Sequence, residues 1–312
     1  MRIKGHVMNR YVRSSVRSLS YLLFSVFSIS FFVFYLIRAV PGDITDLYAV
    51  SGDMSADQQE ALRQELGLDQ AVLAQFVSFA SLMMQGDWGV SLRYSTPVVD
   101  MLLQAVPLTL LLALSALVCG LLLGAVIALL ACAYPDSRWR QLVEGLNVWS
   151  IALPSFCIGV VAVLVFSIWL QWLPIKGQLL MPVLILSLDV AGQVVKPLYE
   201  ELMSITRCGY VRTARAKGLG NWVIVARHIL PNTSVVMLNL IGVVFGGLVG
   251  GTLTMEVIFG LNGVGGLTFT AIQGRDYPLI QAGITWLALM IILMNLVTRS
   301  ISVWVDPRLR KQ

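Results

Sequence analysis

The residue types that do chemistry on bound substrates are scarce in this sequence of 312 residues. Its two histidines, His6 and His228, are too few for a metal cage, and its cysteines form no CxxC pair. The motifs HExxH and GxxxxGK[ST] are both absent, so the sequence predicts neither a zinc-hydrolase site nor a phosphate-binding loop for ATP. The four cysteines are Cys119, Cys132, Cys157 and Cys208.

Two acids, Asp189 and Glu256, lie in or beside long apolar runs. A carboxylate in apolar surroundings is costly, which makes each a candidate for a functional contact along a path through the protein. Both also have a structural explanation. Asp189 can form hydrogen bonds within a helix bundle, and Glu256 can be satisfied by water or by Arg275 near the end of its run.

A third candidate is the segment "YVRTARAKGLGNWVIVARHILPN" at 210–232, which carries four basic side chains and one histidine but no acid. Its pattern predicts a helix, a glycine turn and a second helix that begins after Asn221 as N-cap and ends before Pro231. Two interpretations remain open from the residues alone: a basic anchor that sets membrane orientation, or a surface that another protein binds.

These residues must be positioned by membrane-spanning helices. Hydrophobic residues make up 57% of the chain and charged residues only 12%, and the mean hydropathy is +0.79. Such a composition is typical of an integral membrane protein. Because a helix needs roughly 20 apolar residues to cross the bilayer, the charge-poor runs predict six spans. They lie at about 19–37, 108–132, 146–171, 179–195, 233–256 and 278–298.

Lysine and arginine predict the orientation, since they are retained on the cytoplasmic side. Both termini are expected to be cytoplasmic, and so are the segments 134–144 and 200–230. Only five of the 22 basic residues then fall outside, namely Arg38, Arg63, Arg93, Lys176 and Arg275. The sequence pI of about 9.1 therefore indicates membrane topology, and we expect no nucleic-acid binding.

One long polar stretch, from Pro41 to Val106, is predicted outside. "SADQQEALRQELG" predicts a short helix with Ser55 and Gln58 forming a capping box and Gly67 at its end. "QGDWGVSLRYSTPV" predicts a turn and an extended piece. The stretch is either a cap over the helices or a docking face for a protein that delivers substrate.

Several motifs resemble those of one transport family. Gly218, nine residues and "HILP" match the cytoplasmic loop of ABC-importer permeases, and "YVRTARAKGL" is similar to the form found in the dipeptide, oligopeptide and nickel branch, B-type subunit. Arg212, Thr213 and His228 depart from the general loop pattern. Further fragments resemble that branch in the same order: "VPGD" at 40–43, "ELGLDQ" at 65–70, "GDWGVSL" at 86–92, "ALPSF" at 152–156, "WLPIKG" at 172–177, "GRDYPLIQ" at 274–281 and "DPRLR" at 306–310.

The resemblance implies an all-α integral membrane protein with six transmembrane helices, in the type I ABC importer permease fold with a cytoplasmic coupling helix. It places a cytoplasmic N-terminus at 1–18, the first transmembrane helix at 19–37 and a periplasmic segment at 38–107. The permease core follows at 108–305, with the coupling loop at 200–231 and a cytoplasmic tail at 306–312. The implied ATPase-coupling residues are Tyr210, Arg212, Thr213, Ala214, Arg215, Ala216, Lys217, Gly218, Leu219, Gly220, His228 and Pro231.

The implied partners are a homologous second permease, two ATP-binding subunits, an extracytoplasmic substrate-binding protein and membrane lipids. The chain itself is expected to bind no cofactor, since ATP and Mg would lie on the partner subunits, and to be no enzyme. We expect it in the bacterial inner membrane. Its cargo is expected to be di- or oligopeptides, with nickel or a metal chelate as the alternative. A secondary transporter fits less well, because the chain has two marginal acids and no internal repeat.

Overall fold

The computed structural model describes residues 2–39, 55–65, 69–135 and 138–305. Within these ranges the chain forms helices and loops, with a single isolated β-bridge between Val90 and Pro97. The helices are α1 (Arg2–Ala39), α2 (Ala56–Glu65), α3 (Val72–Met84), α4 (Val98–Ala133), α5 (Trp139–Ala152), α6 (Ser155–Ala162), α7 (Leu180–Ile205), α8 (Gly209–Ala216), α9 (Asn221–Ile224), α10 (Ser234–Ile258), α11 (Val264–Gln273) and α12 (Tyr277–Val305).

Five of the described helices are long and apolar enough to cross a membrane, and a bent pair makes up to six. The prediction of one straight span at 146–171 was wrong, because this part of the chain forms the bent pair. Its axis turns by 91° between α5 and the α6 segment, which continues as a π-helix to Trp169. Pro154 explains the break, because it lacks an N–H and holds Leu153 in an extended conformation (φ −117°, ψ 108°).

Four other helices, α1, α4, α7 and α12, are longer than the apolar runs predict, and two of them continue through a proline. Helix α4 begins ten residues before the predicted start at 108 and continues through Pro107. Helix α7 runs through Pro197 to Ile205, although the apolar run suggested an end near 195. Charged or proline positions near a helix end are therefore poor markers of where the backbone stops being helical.

Contacts divide the chain into two compact units. The first comprises Met1–Pro107 with Gly263–Leu293. In it, α1 packs on α12 through a buried hydrogen bond of 3.1 Å between the hydroxyls of Ser30 and Thr285. The predicted capping box is confirmed at the start of α2. The Ser55 amide donates to Gln58 Oε1 at 2.9 Å, and the Gln58 amide donates to Ser55 Oγ at 3.4 Å.

Helix α3, also in the first unit, was not predicted from the sequence. Its 13 residues carry no charge, and the ring of Phe76 lies edge-on to those of Phe27, Phe31 and Phe34 in α1 at centroid distances of 4.9 to 5.3 Å. The predicted helix stop at Gly67, the fragments "VPGD" and "DPRLR", and the tail 306–312 lie outside the described residues.

The second unit comprises Leu108–Asn262 with Met294–Gln312 and is organised around α7. Small residues let its neighbours approach closely, as is common between membrane helices. A Cβ atom on Gly120 of α4 would lie 2.5 Å from Val190 Cβ, and one on Gly192 would lie 2.6 Å from the carbonyl oxygen of Leu146 in α5. Gly251 of α10 faces the side chain of Leu186. Backbone contact at these glycines therefore holds the core of this unit together.

Candidate functional site

The predicted helix, turn and helix at 210–231 lie in the second unit, between α7 and α10. Helix α8 starts after Cys208, whose backbone is extended (φ −67°, ψ 146°). Asn221 is not the N-cap that the sequence predicted. Gly220 holds the extended backbone (φ −65°, ψ 149°) that an N-cap requires, and Asn221 is already the first residue of α9.

The turn between the two helices is a Schellman motif centred on Gly218. The Gly218 amide donates to the Arg215 carbonyl at 2.9 Å, and the Leu219 amide donates to the Ala214 carbonyl at 3.4 Å. Gly218 has φ +77°, a value that glycine adopts readily and that other residues adopt at a cost. The predicted glycine turn is therefore confirmed at Gly218, whereas Gly220 adopts an ordinary backbone conformation.

The segment after α9 is not a regular α-helix. It becomes a π-helix at Val225–Ile229 and a 3-10 helix at Leu230–Thr233. Pro231 has no N–H to donate, and side chains occupy two of the nearby carbonyls. The Asn232 amide donates to the His228 carbonyl at 2.8 Å, and the Thr233 hydroxyl donates to the Leu230 carbonyl at 2.7 Å. The segment "HILP" at 228–231 therefore belongs to a short, irregular connection between the loop and α10.

Alternating burial gives this loop one inner and one outer face. Val211 and Ala214 of α8 are buried, and so are Ile224, Val225 and Ile229 of the second arm. The outer face combines apolar and basic groups, and we call it the basic-aromatic face. Its exposed members are Tyr210, Arg212, Arg215, Lys217, Leu219, Trp222 and Val223.

Desolvation by burial, and then the charge that the Cys208 thiol gains when it ionises, both raise the pKa of the Tyr210 phenol above its ordinary value. Aromatic residues and arginine are enriched in protein contacts. The basic-aromatic face therefore has the composition of a docking surface on a firmly attached loop.

Of the two candidate acids, Glu256 is fully buried near the end of α10. Its Oε1 accepts a hydrogen bond of 2.7 Å from the Thr109 hydroxyl of α4. Asp189 is half-buried on α7 and hydrogen-bonds Gln193, one turn later on the same helix. The structure therefore gives both acids partners within the second unit, and it does not bring the two together into one site.

We expect neither acid to relay protons. Asp189→Asn and Glu256→Gln keep the shape of each side chain and an oxygen that accepts hydrogen bonds, so uptake by the assembled transporter should stay within about twofold of wild type, a change of roughly 0.4 kcal/mol. Glu256→Ala, which removes the carboxyl group from a buried position, should instead lower the amount of folded protein in the membrane. Loss of uptake in both neutral variants, with assembly intact, would contradict this expectation.

A polar cluster in the first unit was not singled out from the sequence. The buried carboxylate of Asp276 accepts hydrogen bonds from the Ser91 hydroxyl at 2.5 Å and from the amides of Leu92 and Arg93 at 3.3 and 3.5 Å. It thereby joins the motifs "GDWGVSL" and "GRDYPLIQ". Both motifs carry polar residues that could form hydrogen bonds. The contact could not be predicted from spacing, because Ser91 and Asp276 are 185 residues apart.

Comparison with known proteins matches nearly the whole chain to one transport family. Residues 120–311, which include the basic-aromatic face, match the binding-protein-dependent transport system inner membrane component. Residues 8–113 match the N-terminal membrane component of the same kind of system. The chain is also similar to the glutathione transport system permease protein GsiC of Escherichia coli strain K12, Shigella dysenteriae serotype 1 strain Sd197 and Shigella boydii serotype 4 strain Sb227. Each is 32% identical over 301 residues, covering 95% of this chain and 98% of the relative.

These matches agree with the all-helical structure and with the motifs that predicted the peptide and nickel branch. They also define the kind of protein: members of the family are transport subunits of the inner membrane, not catalysts. The chain therefore belongs to the binding-protein-dependent transport system inner membrane components, as a multi-pass permease subunit of an ABC importer.

Proposed function

We propose that this permease forms, with a homologous second permease, the translocation path for di- or oligopeptides that an extracytoplasmic binding protein delivers. Two ATP-binding subunits, which hold ATP and Mg, would supply the energy from the cytoplasmic side. The observation that carries the proposal is the basic-aromatic face, because three cations and four large apolar groups are exposed on a loop fixed between two long helices.

The loop is suited to transmit motion. Val211 and Ala214 of α8 are buried, and so is Ile229 in the arm that leads into α10. When ATP binding closes the partner subunits, a docked loop would move with them and shift α7 and α10. The permease pair would then rock from an inward-facing to an outward-facing state, and hydrolysis would reset it.

Peptide cargo is supported by the similarity to permeases of glutathione transport systems, because glutathione is a peptide. Nickel or a metal chelate is the alternative cargo. Uptake of labelled di- and oligopeptides and of nickel, with and without the gene, separates the two. Loss of peptide uptake alone supports the proposal. Loss of nickel uptake alone would contradict it.

The charge on the basic-aromatic face gives a separate prediction. Lys217 lies at the C-terminus of α8 and is exposed, so Lys217→Glu reverses one charge at the proposed contact. It should lower co-purification of the ATP-binding subunits several-fold, and more strongly at low salt. Arg310→Glu is the comparison, since Arg310 is basic but lies outside the loop motif. Equal effects of the two variants would make the loop a topology anchor only.

We also propose that both termini and the loop at 200–230 are cytoplasmic, and that the α2 region is outside. In a variant without the four native cysteines, an impermeant thiol reagent should modify Glu60→Cys in intact cells but not Asn221→Cys. Both positions are exposed. Gln75 is a poor reporter, because its side chain is hydrogen-bonded to Arg38. Labelling of Asn221→Cys alone would reverse the orientation.

A further inference from the structure

An apolar groove lies between α1 and α3 in the first unit. It has a cavity volume of about 450 Å³ and is lined by Phe27, Phe31, Leu73, Phe76, Val77 and Met84, among others. This volume falls within the range of about 300–1,000 Å³ that small-molecule sites occupy. No lining residue is charged, so the groove suits a hydrocarbon chain.

The depth of the groove follows from α1. The apolar window Leu22–Ala39 has a mean hydropathy of 2.0 and is only 11% buried within the protein, which fits a surface that faces hydrocarbon. At 1.5 Å per residue, Phe31 and Phe27 lie about 12 and 18 Å below its end at Ala39. Phe76 packs on both rings at 4.9 and 5.2 Å. If that window faces hydrocarbon, helix α3 lies beside α1 within the same layer.

The surface of α3 fits that position. Leu73, Val77 and Met84 are 65%, 60% and 88% exposed, although the helix follows a polar segment predicted to be outside. Its 13 residues span only about 20 Å, which is too short to cross a hydrocarbon core of about 30 Å. An uncharged helix of this length fits a segment that enters one leaflet and does not span.

The end of α1 carries a group that complements a lipid headgroup. The Arg38 guanidinium stacks over the Phe34 ring at 3.4 Å and donates from Nε to Gln75 Oε1 at 2.5 Å. In the part of the chain that the structure describes, its Nη1 is buried without a hydrogen-bond partner, but Arg38 as a whole is partly exposed. A phosphate would therefore contact the accessible part of the guanidinium. Arg38 lies one residue before the end of the apolar window, and arginine pairs well with phosphate.

We propose that the groove between α1 and α3 holds an acyl chain of a phospholipid from the leaflet on the Ala39 side, with its phosphate at Arg38. Helix α3 is then a membrane-embedded element of the permease and not part of a soluble cap. The lipid fills the space between a span and a short helix that pack on each other chiefly through aromatic rings. This inference does not depend on the cargo or on docking of the ATP-binding subunits.

Spin labels on the assembled transporter in phospholipid nanodiscs test the depth of α3. A label at Val77→Cys should collide with dissolved oxygen more than with a water-soluble nickel chelate, whereas one at Glu60→Cys in α2 should show the opposite preference. A Val77 label that prefers the chelate would place α3 in water. A label shielded from both reagents would make the second permease the occupant. Either result overturns the proposal.

Lipid retained by the purified transporter, measured by mass spectrometry, tests the groove itself. Ala80→Trp fills it, while Ala74→Trp adds the same side chain at an exposed position of α3 that does not line it. Ala80→Trp and Arg38→Gln should each lose most of the phosphatidylglycerol that wild type and Ala74→Trp retain. Inorganic phosphate should not displace that lipid. Equal retention in all four proteins, or displacement by phosphate alone, would contradict an acyl-chain site.

Discussion

Replacing Gly218 by valine should leave the permease in the membrane but reduce uptake and co-purification of the ATP-binding subunits by about tenfold or more. Gly218 has φ +77° at the centre of the Schellman turn. A β-branched residue held there costs roughly 1–3 kcal/mol, and each 1.4 kcal/mol is about a factor of ten in an equilibrium. We expect the variant to relieve this strain by unfolding the turn, which would move Leu219 and Trp222 away from α8.

Gly220→Val is the matched control for this experiment. Gly218 and Gly220 both have open space where a Cβ would stand, so neither substitution creates a clash within the subunit. Gly220 has φ −65° and ψ 149°, which valine adopts readily. The two variants therefore differ in backbone strain, while Gly220→Val also replaces the N-cap of α9 by a residue that caps less well. If Gly218→Val retains normal docking and uptake, or if Gly220→Val is equally impaired, the shape of the turn is not what couples the subunits.

The parts of this fold that the sequence predicted correctly have local physical causes. The capping box of Ser55 and Gln58 needs only three residues of separation, and the hydrogen bonds of α2 follow from it. The positive φ of Gly218 was likewise predictable, because a glycine between two helical patterns marks a left-handed turn. Long apolar runs predicted the spans for a similarly local reason. In lipid, the backbone N–H and C=O groups of a helix must form hydrogen bonds within that helix.

The length rule alone predicted one straight span at 146–171. Those residues are apolar enough for a span, but Pro154 inside that run forces the 91° bend. Helix α3, at Val72–Met84, was not predicted, because it falls below the length of a span. Its composition contained the signal, because 13 uncharged residues are unusual in a soluble cap.

Other contacts depend on how distant segments meet, which spacing does not show. Ser91 and Asp276 are 185 residues apart, and Thr109 and Glu256 are 147 residues apart. Their hydrogen bonds require helices to be packed in a particular order. A single sequence holds the donors and acceptors but not that order. The loop at 210–231 was found only because its own helix, turn and helix carry the pattern.

Gly192 lies at a close long-range contact between α5 and α7. Gly192→Leu should therefore lower the amount of folded permease in the membrane to a small part of the wild-type amount. An added Cβ would lie 2.5 Å from Ser150 Cβ and 2.6 Å from the Leu146 carbonyl oxygen. The Gly192 carbonyl also accepts a hydrogen bond of 3.1 Å from the Asn147 amide. Because the nearest atoms include backbone, α5 and α7 must separate to admit a side chain.

Overpacking of this kind typically costs about 1–3 kcal/mol, and here the separation also weakens the hydrogen bond from Asn147. The matched control is Gly145→Leu on α5, since Gly145 is exposed and has no atom within 4 Å of a Cβ. Leucine should be tolerated there, because it favours helix over glycine by roughly 0.8 kcal/mol. Membrane abundance and the thermal midpoint of the purified transporter measure both effects. If Gly192→Leu matches wild type in both, the close contact between α5 and α7 does not hold the second unit together.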